Sequence, residues 1–202
     1  MTADPLPYPL RLTGIGIVLR EWRPEDLTDL VTLLDEPEIA RWTPMPSPFD
    51  TEAGLAYLKR AHQGRTTGSR IQLAITADGH RPLGEVLLFG VNADLREAEI
   101  GYLVGHPHRR RGLASAALSA LSGYACGTLR FRRLLLRIDP ANIASTLVAR
   151  RCGYWLTGEP PIHQEGPYGP TRLETWEYVD GRSGTRPERQ KNVASRRYGR
   201  RT

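Results

Sequence analysis

At 202 residues the chain is long enough to bury a substantial core without metal or disulfide staples, so one domain with an appendage is expected. The net charge of +6 would point to a polyanionic partner if it were spread over the fold, but residues 181–202 hold eight basic groups against Glu188 alone, leaving 20 basic and 21 acidic groups elsewhere. That distribution excludes a general nucleic-acid surface on the domain, and two cysteines with five histidines lacking paired spacing argue against a disulfide framework and against any metal site.

Residues 1–9, with three prolines, an aspartate and no apolar core, read as an N-terminal extension and not as a signal peptide. Ile15 to Arg20 is a short apolar run with strand character, and Pro24-Glu25-Asp26 suits a first helical turn. Leu27, Leu30, Val31 and Leu34 then share one face of an amphipathic helix. A short helix over Glu36 to Trp42 is broken by the prolines from Pro44 to Pro48, and Trp42 with this loop is a candidate lining of a substrate mouth. Thr51 to Gln63 is helical again.

From Ile71 the period becomes two. Ile71 to Thr76 and Leu83 to Phe89 flank the turn residues Asp78-Gly79 as a hairpin, and Ala98 to Val104 follows as a third antiparallel strand. The apolar strand ends at Gly105-His106-Pro107 and runs through Arg109-Arg110-Arg111-Gly112 into a helix from Gly112 to Ala125. Gly112 permits close backbone approach, the arginines bring positive charge, and the opening amides of the helix have no intrahelical acceptors. These are the parts of an anion cradle. A strand at Arg133 to Ile138, a helix from Ile143 to Arg151 capped by Asn142, and strands at 155–157 and 173–179 complete an α+β domain around a mixed sheet. No run approaches a membrane span, and the expected location is cytoplasmic. Residues 181–202 lack apolar periodicity and read as a disordered basic tail, with weak polyanion contact as its candidate role.

Arg109-x-x-Gly112-x-Ala114 and Asp139-Pro140-x-Asn142-x-x-Ser145, closed by Gly153-Tyr154, resemble the two signature blocks of the GNAT superfamily of acetyl-coenzyme A-dependent N-acetyltransferases. Leu19 to Asp26 and Glu36 to Trp42 are similar to the opening of its RimJ/RimL-like branch. The resemblance implies a single GNAT-like α+β domain over residues 10–180, its mixed, mostly antiparallel sheet flanked by helices with splayed central strands. It implies acetyl-CoA as cosubstrate, without a metal. The pantetheine arm would lie along Leu103 and Val104, and the pyrophosphate on Arg109, Arg110, Arg111, Gly112, Leu113, Ala114 and Ser115, with Asn142 touching the arm.

The resemblance also implies a general base. Glu99, on the strand entering the cradle, is the first choice, and Glu165, in the His163 to Gly169 loop, is its rival. The tyrosine that many members use to protonate the departing thiolate is replaced here by Ala149, which leaves Ser145 as the candidate donor; the Val104 amide is the candidate for polarising the carbonyl. The implied acceptor is a protein or peptide N-terminal amine first and a small-molecule amine such as an antibiotic or polyamine second, with a monomer or homodimer expected. A non-catalytic acyl-CoA-binding or RNA-associated module is the alternative that Ala149 and the basic tail leave open.

Overall fold

The computed structural model describes residues 9–166 and 169–179, the side chains of 165 and 166 excepted. The basic tail and all but one residue of the N-terminal extension lie outside the described residues. A first hairpin joins β1 (Arg11–Gly14) to β2 (Ile17–Glu21). The apolar run from Ile15 was expected to begin a strand; instead Ile15 is 95% exposed and Gly16, at φ +67, carries the chain through the turn. A 3-10 turn (Pro24–Asp26) leads into α1 (Leu27–Leu34), followed by α2 (Pro37–Trp42) and α3 (Thr51–Thr66). The entry to α1 is fixed by Arg20, whose guanidinium meets both carboxylate oxygens of buried Asp26 at 2.6 and 2.8 Å and also donates to the Gly79 carbonyl. Such a fork-to-fork pair is held by geometry as much as by charge.

The strands β3 (Ile71–Thr76), β4 (Pro82–Asn92) and β5 (Glu97–Val104) form the expected antiparallel run. After the cradle come α4 (Leu113–Gly127), β6 (Arg133–Ile138), α5 (Ile143–Arg151), β7 (Trp155–Leu156), β8 (Ile162–Gly166) and β9 (Gly169–Val179). Among the described residues the sheet runs β1-β2-β3-β4-β5-β6-β9-β7, with β8 paired to β9 off this path. All pairings are antiparallel except that of β5 with β6.

Alternation puts two different layers on the two faces. Val86, Leu88, Ile100, Leu134 and Leu136 meet Leu118, Leu121 and Ala125 of α4 in the larger core. The opposite face carries α1, α2 and α3 through Leu30, Leu34, Ile39, Phe49 and Tyr57. Each fully buried leucine contributes about 1.5–3 kcal/mol of transfer free energy. The segment expected as a loop around Glu165 is instead the strand β8, in which Glu165 faces Pro170 of β9. Its sequence lacks apolar alternation, so the pairing with β9 alone makes it a strand.

Candidate active site

The site begins where two parallel strands stop pairing. β5 and β6 are in register only at Glu97–Arg133, Ala98–Leu134 and Glu99–Leu135, yet β5 continues to Val104 and β6 to Ile138. Beyond Glu99 the strands therefore fork. The Gly105 amide donates to the Leu83 carbonyl at 3.1 Å, which fixes the alternation along β5. The backbone groups of Ile100, Tyr102 and Val104 point away from β4, into the fork. The Ile100 amide still reaches Leu135 in the last rung, and the Leu103 backbone, expected against the arm, is paired with Glu85 of β4 instead. The groups left facing the fork therefore centre on Tyr102 and the Val104 amide: a short strand edge inside a sheet, open to an extended ligand. Gly84 lets β4 and β5 close up beside it, since a Cβ there would come within 2.4 Å of the Leu103 carbonyl oxygen.

The cradle sits at the wide end of the fork. Arg110, at φ +60, and Gly112, at φ +78, both take left-handed conformations, so the chain coils back before α4 starts. The Ala116 amide is the first of α4 to reach a helical acceptor, the Gly112 carbonyl at 3.0 Å. The amides of Leu113, Ala114 and Ser115 are thus left at the positive end of the helix. A Cβ on Gly112 would meet nothing within 4 Å, so the space above it is open. Arg110 and Arg111 are exposed there, while the Leu113 side chain is core and leaves only its backbone to the cradle.

Arg109 is engaged elsewhere. Its Nε donates to the Val104 carbonyl at 2.9 Å, one guanidinium nitrogen lies 2.8 Å from Glu36 Oε2, and the other meets Glu38. Glu36 Oε1 also accepts from the His106 amide at 2.8 Å. The side chain that sequence grouped with the cradle thus ties the end of β5 to α2.

On the other side of the fork Asn142 caps α5, accepting from the Ser145 amide at 3.1 Å. The Ser145 hydroxyl makes no hydrogen bond among the described residues, and its carbonyl accepts from the Tyr102 hydroxyl at 2.9 Å. That bond bridges the forked strand to α5. Burial pushes the Tyr102 phenol well above its usual range, outweighing the bond to Ser145. Ala149 is fully buried, and Tyr154 is a packing residue whose hydroxyl pairs with Ser122 at 2.7 Å. Neither Cys126 nor Cys152 is in a disulfide.

Glu99 stands at the apex of the fork, on the face opposite α4. Arg137 Nε lies 3.3 Å from its carboxylate, and Arg137 also reaches Thr175 of β9. The structure does not describe the Glu165 side chain. A cavity of about 630 Å³ opens between α2 and the ends of β6 and β9, lined by Pro37, Glu38, Arg41, Trp42, Asp139, Ala141 and Thr171. Trp42 lines this cavity, while the residues from Pro44 to Pro48, expected beside it, do not.

Sequence reasoning missed Glu85. It is wholly buried on β4, opposite Leu103, and accepts from Trp22 Nε1 at 2.7 Å, from the Tyr57 hydroxyl and from Gln72 Nε2 at 3.3 Å. Burial raises its carboxyl above the usual range, though these three donors pull the other way. The only sequence signal was an acid in an otherwise apolar strand.

An open strand edge leading to a helix N-terminus, within an α+β fold, suits an extended ligand that ends in an anion. A family profile described as the acetyltransferase (GNAT) domain matches residues 17–154, and the chain belongs to that family; it is an acyltransferase. None of the curated proteins matches the chain. Solved structures with the same fold include Mycobacterium smegmatis RimJ in complex with CoA-disulfide, at 19% identity and TM-score 0.78 over 87% of this chain and 90% of that one. Another is the spermidine N-acetyltransferase from Vibrio cholerae in complex with CoA and spermine, at 15% identity and TM-score 0.70 over 82% and 96%. A third is the microcin C7 self-immunity acetyltransferase MccE in complex with acetyl-CoA and AMP, at 16% identity and TM-score 0.74 over 82% and 93%. The family match runs from β2 to the Gly153-Tyr154 turn, and so includes both signature blocks. Among the described residues no group of acidic, histidine or cysteine side chains is arranged to hold a metal, and no helix is long and apolar enough to cross a membrane.

Proposed function

We propose that the chain transfers an acetyl group from acetyl-CoA directly to a primary amine, a protein or peptide N-terminus before a small molecule. The fork carries this reading: past the last rung, in which the Ile100 amide still meets Leu135, β5 turns the Ile100 carbonyl, both backbone groups of Tyr102 and the Val104 amide into the fork, along a line that ends at the cradle, while Arg109 holds the Val104 carbonyl. Such an edge suits the amides of a pantetheine arm, added as a short strand. The backbone from Arg110 to Ser115, with Gly112 open above and two exposed guanidinium groups beside it, suits a pyrophosphate. The Arg109 side chain contributes indirectly, by holding the Val104 carbonyl and α2 in place. Asn142 shapes the far wall of the fork through its cap on α5.

Acetyl-CoA supplies an activated thioester. Bond formation between the amine nitrogen and the acetyl carbon sheds a proton, which Glu99 at the fork apex accepts. The carbonyl oxygen sits at the apex end of the arm, so its charge is stabilised by the Tyr102 N–H, which is also directed into the fork; the Val104 N–H, first choice on sequence, lies five residues from Glu99 at the cradle end and is left to the arm. As the carbon–sulfur bond breaks its electrons leave on sulfur, and the Ser145 hydroxyl, in the first turn of α5, is our candidate to pass the thiolate a proton, taking one from solvent as it does so. Glu165 competes with Glu99 for the base role because β8 borders β9, and Thr171 of β9 lines the cavity.

The test is CoA release by the full-length protein over a panel of amines and N-terminal peptides, with products identified by mass spectrometry. Turnover should fall at least tenfold in Glu99→Gln, most at low pH, where the amine depends on a base. An unaffected Glu99→Gln beside a crippled Glu165→Gln would transfer the role, and binding of acetyl-CoA without release to any acceptor would remove the transfer reading.

A further inference from the structure

Resting on that reading, we propose that Glu38 is a specificity-determining residue, which selects amines carrying a second positive charge near the reacting nitrogen. Glu38 lines the cavity on the α2 side with its side chain 57% exposed. Across the opening stands Asp139, at the end of β6. Among the described residues the one cation on the cavity wall, Arg41, is turned onto its neighbour, with its guanidinium carbon 4.6 Å from the centroid of the Trp42 ring. The wall is therefore acidic by one charge.

The partner of Glu38 makes it available. Arg109 is bound three ways, to the Val104 carbonyl, to Glu36 and to Glu38. If Glu38 leaves, the guanidinium keeps the Val104 carbonyl and the Glu36 carboxylate, and the Glu36 side chain is only 19% exposed, so that pair is held from water. Glu38 can therefore shift toward the cavity without stranding a buried charge, and it need not leave Arg109: that guanidinium holds only Oε2, so Oε1 is available to an incoming ammonium or guanidinium, which adds a pair without breaking one. A neutral-tailed amine adds none. The same chemistry describes a diamine and a peptide whose second residue is basic.

The full-length protein and Glu38→Gln are titrated in the presence of CoA with two matched pairs: putrescine against butylamine, and a peptide beginning Ser-Lys against the same peptide beginning Ser-Gln. Wild-type protein is expected to bind the doubly charged member of at least one pair about threefold more tightly, the scale of one partly exposed pair, and Glu38→Gln to lose that preference with CoA affinity unchanged. The pair that responds distinguishes a small amine from a peptide. No preference in either pair, or one that survives in Glu38→Gln, overturns the assignment. Failure of the wild type to bind CoA defeats the transfer reading instead, and the preference can still be read by titration without CoA.

Discussion

Replacing Glu85 by glutamine should change how stability depends on pH more than how large it is. The substitution is nearly isosteric and its hydrogen bonds can be kept. The amide oxygen takes the place of Oε1, accepting from Trp22 and Gln72, and the amide nitrogen donates to Tyr57, whose hydroxyl turns to accept. The charge is what disappears. Because burial raises the carboxyl in the folded protein, the folded state holds its proton more tightly than the unfolded chain does. The stability this confers is complete below the unfolded value of about 4.3 and is lost as pH rises through the raised folded value.

Within that window the wild type should lose up to about 1.4 kcal/mol per pH unit relative to Glu85→Gln, or roughly 3–5 °C in melting temperature for a domain of this size. Paired thermal melts in matched buffers between about pH 4 and pH 8 read the difference directly, and titrations common to both proteins cancel. A wild type that keeps level with Glu85→Gln as pH rises would refute the reasoning, and one that gains on it would mean that the pocket favours the carboxylate. Glu85→Ala is a separate case. It strands the Trp22, Tyr57 and Gln72 donors in the interior, at about 1–3 kcal/mol each, and should lower the melting temperature severely at every pH.

Gly112→Glu should fold, because a Cβ there meets nothing within 4 Å and the left-handed φ of +78 costs only about 1–2 kcal/mol, but it should abolish CoA binding in a titration. Unchanged affinity would remove the cradle assignment. Asn142→Ala loses the cap on the Ser145 amide and should cost about 1 kcal/mol, seen as a lowered melting temperature. In Gly84→Ala the new methyl is driven within 2.4 Å of the Leu103 carbonyl oxygen, so β4 and β5 must part. A loss of about 1–3 kcal/mol together with weaker CoA binding is expected, because the displaced strand is the one that borders the fork.

Much of this molecule was legible as one-dimensional pattern. The bounds of β6 and α5 follow from apolar spacing and from Asn142, and the cradle follows from a strand that ends in a helix breaker, a basic run and one glycine. These are local properties: a cap, a positive φ and a period are decided within a few residues. The GNAT signature blocks are local in the same way, which is why the family was readable before the fold.

What tertiary structure alone decided depends on partners distant in the chain. The fork exists because β5 and β6 pair for three rungs and then diverge, and nothing in either strand marks the rung where pairing stops. β8 is a strand because β9 offers it an edge. Glu85 reads in sequence as an acid on a strand, and only Trp22, just past the end of β2, and Tyr57, on α3, make it an interior group. Arg109 shows the division most plainly. Its place in the motif put its backbone at the cradle, but its guanidinium answers to Glu36 and Glu38, carboxylates about 70 residues earlier that the packing of α2 brings to the end of β5.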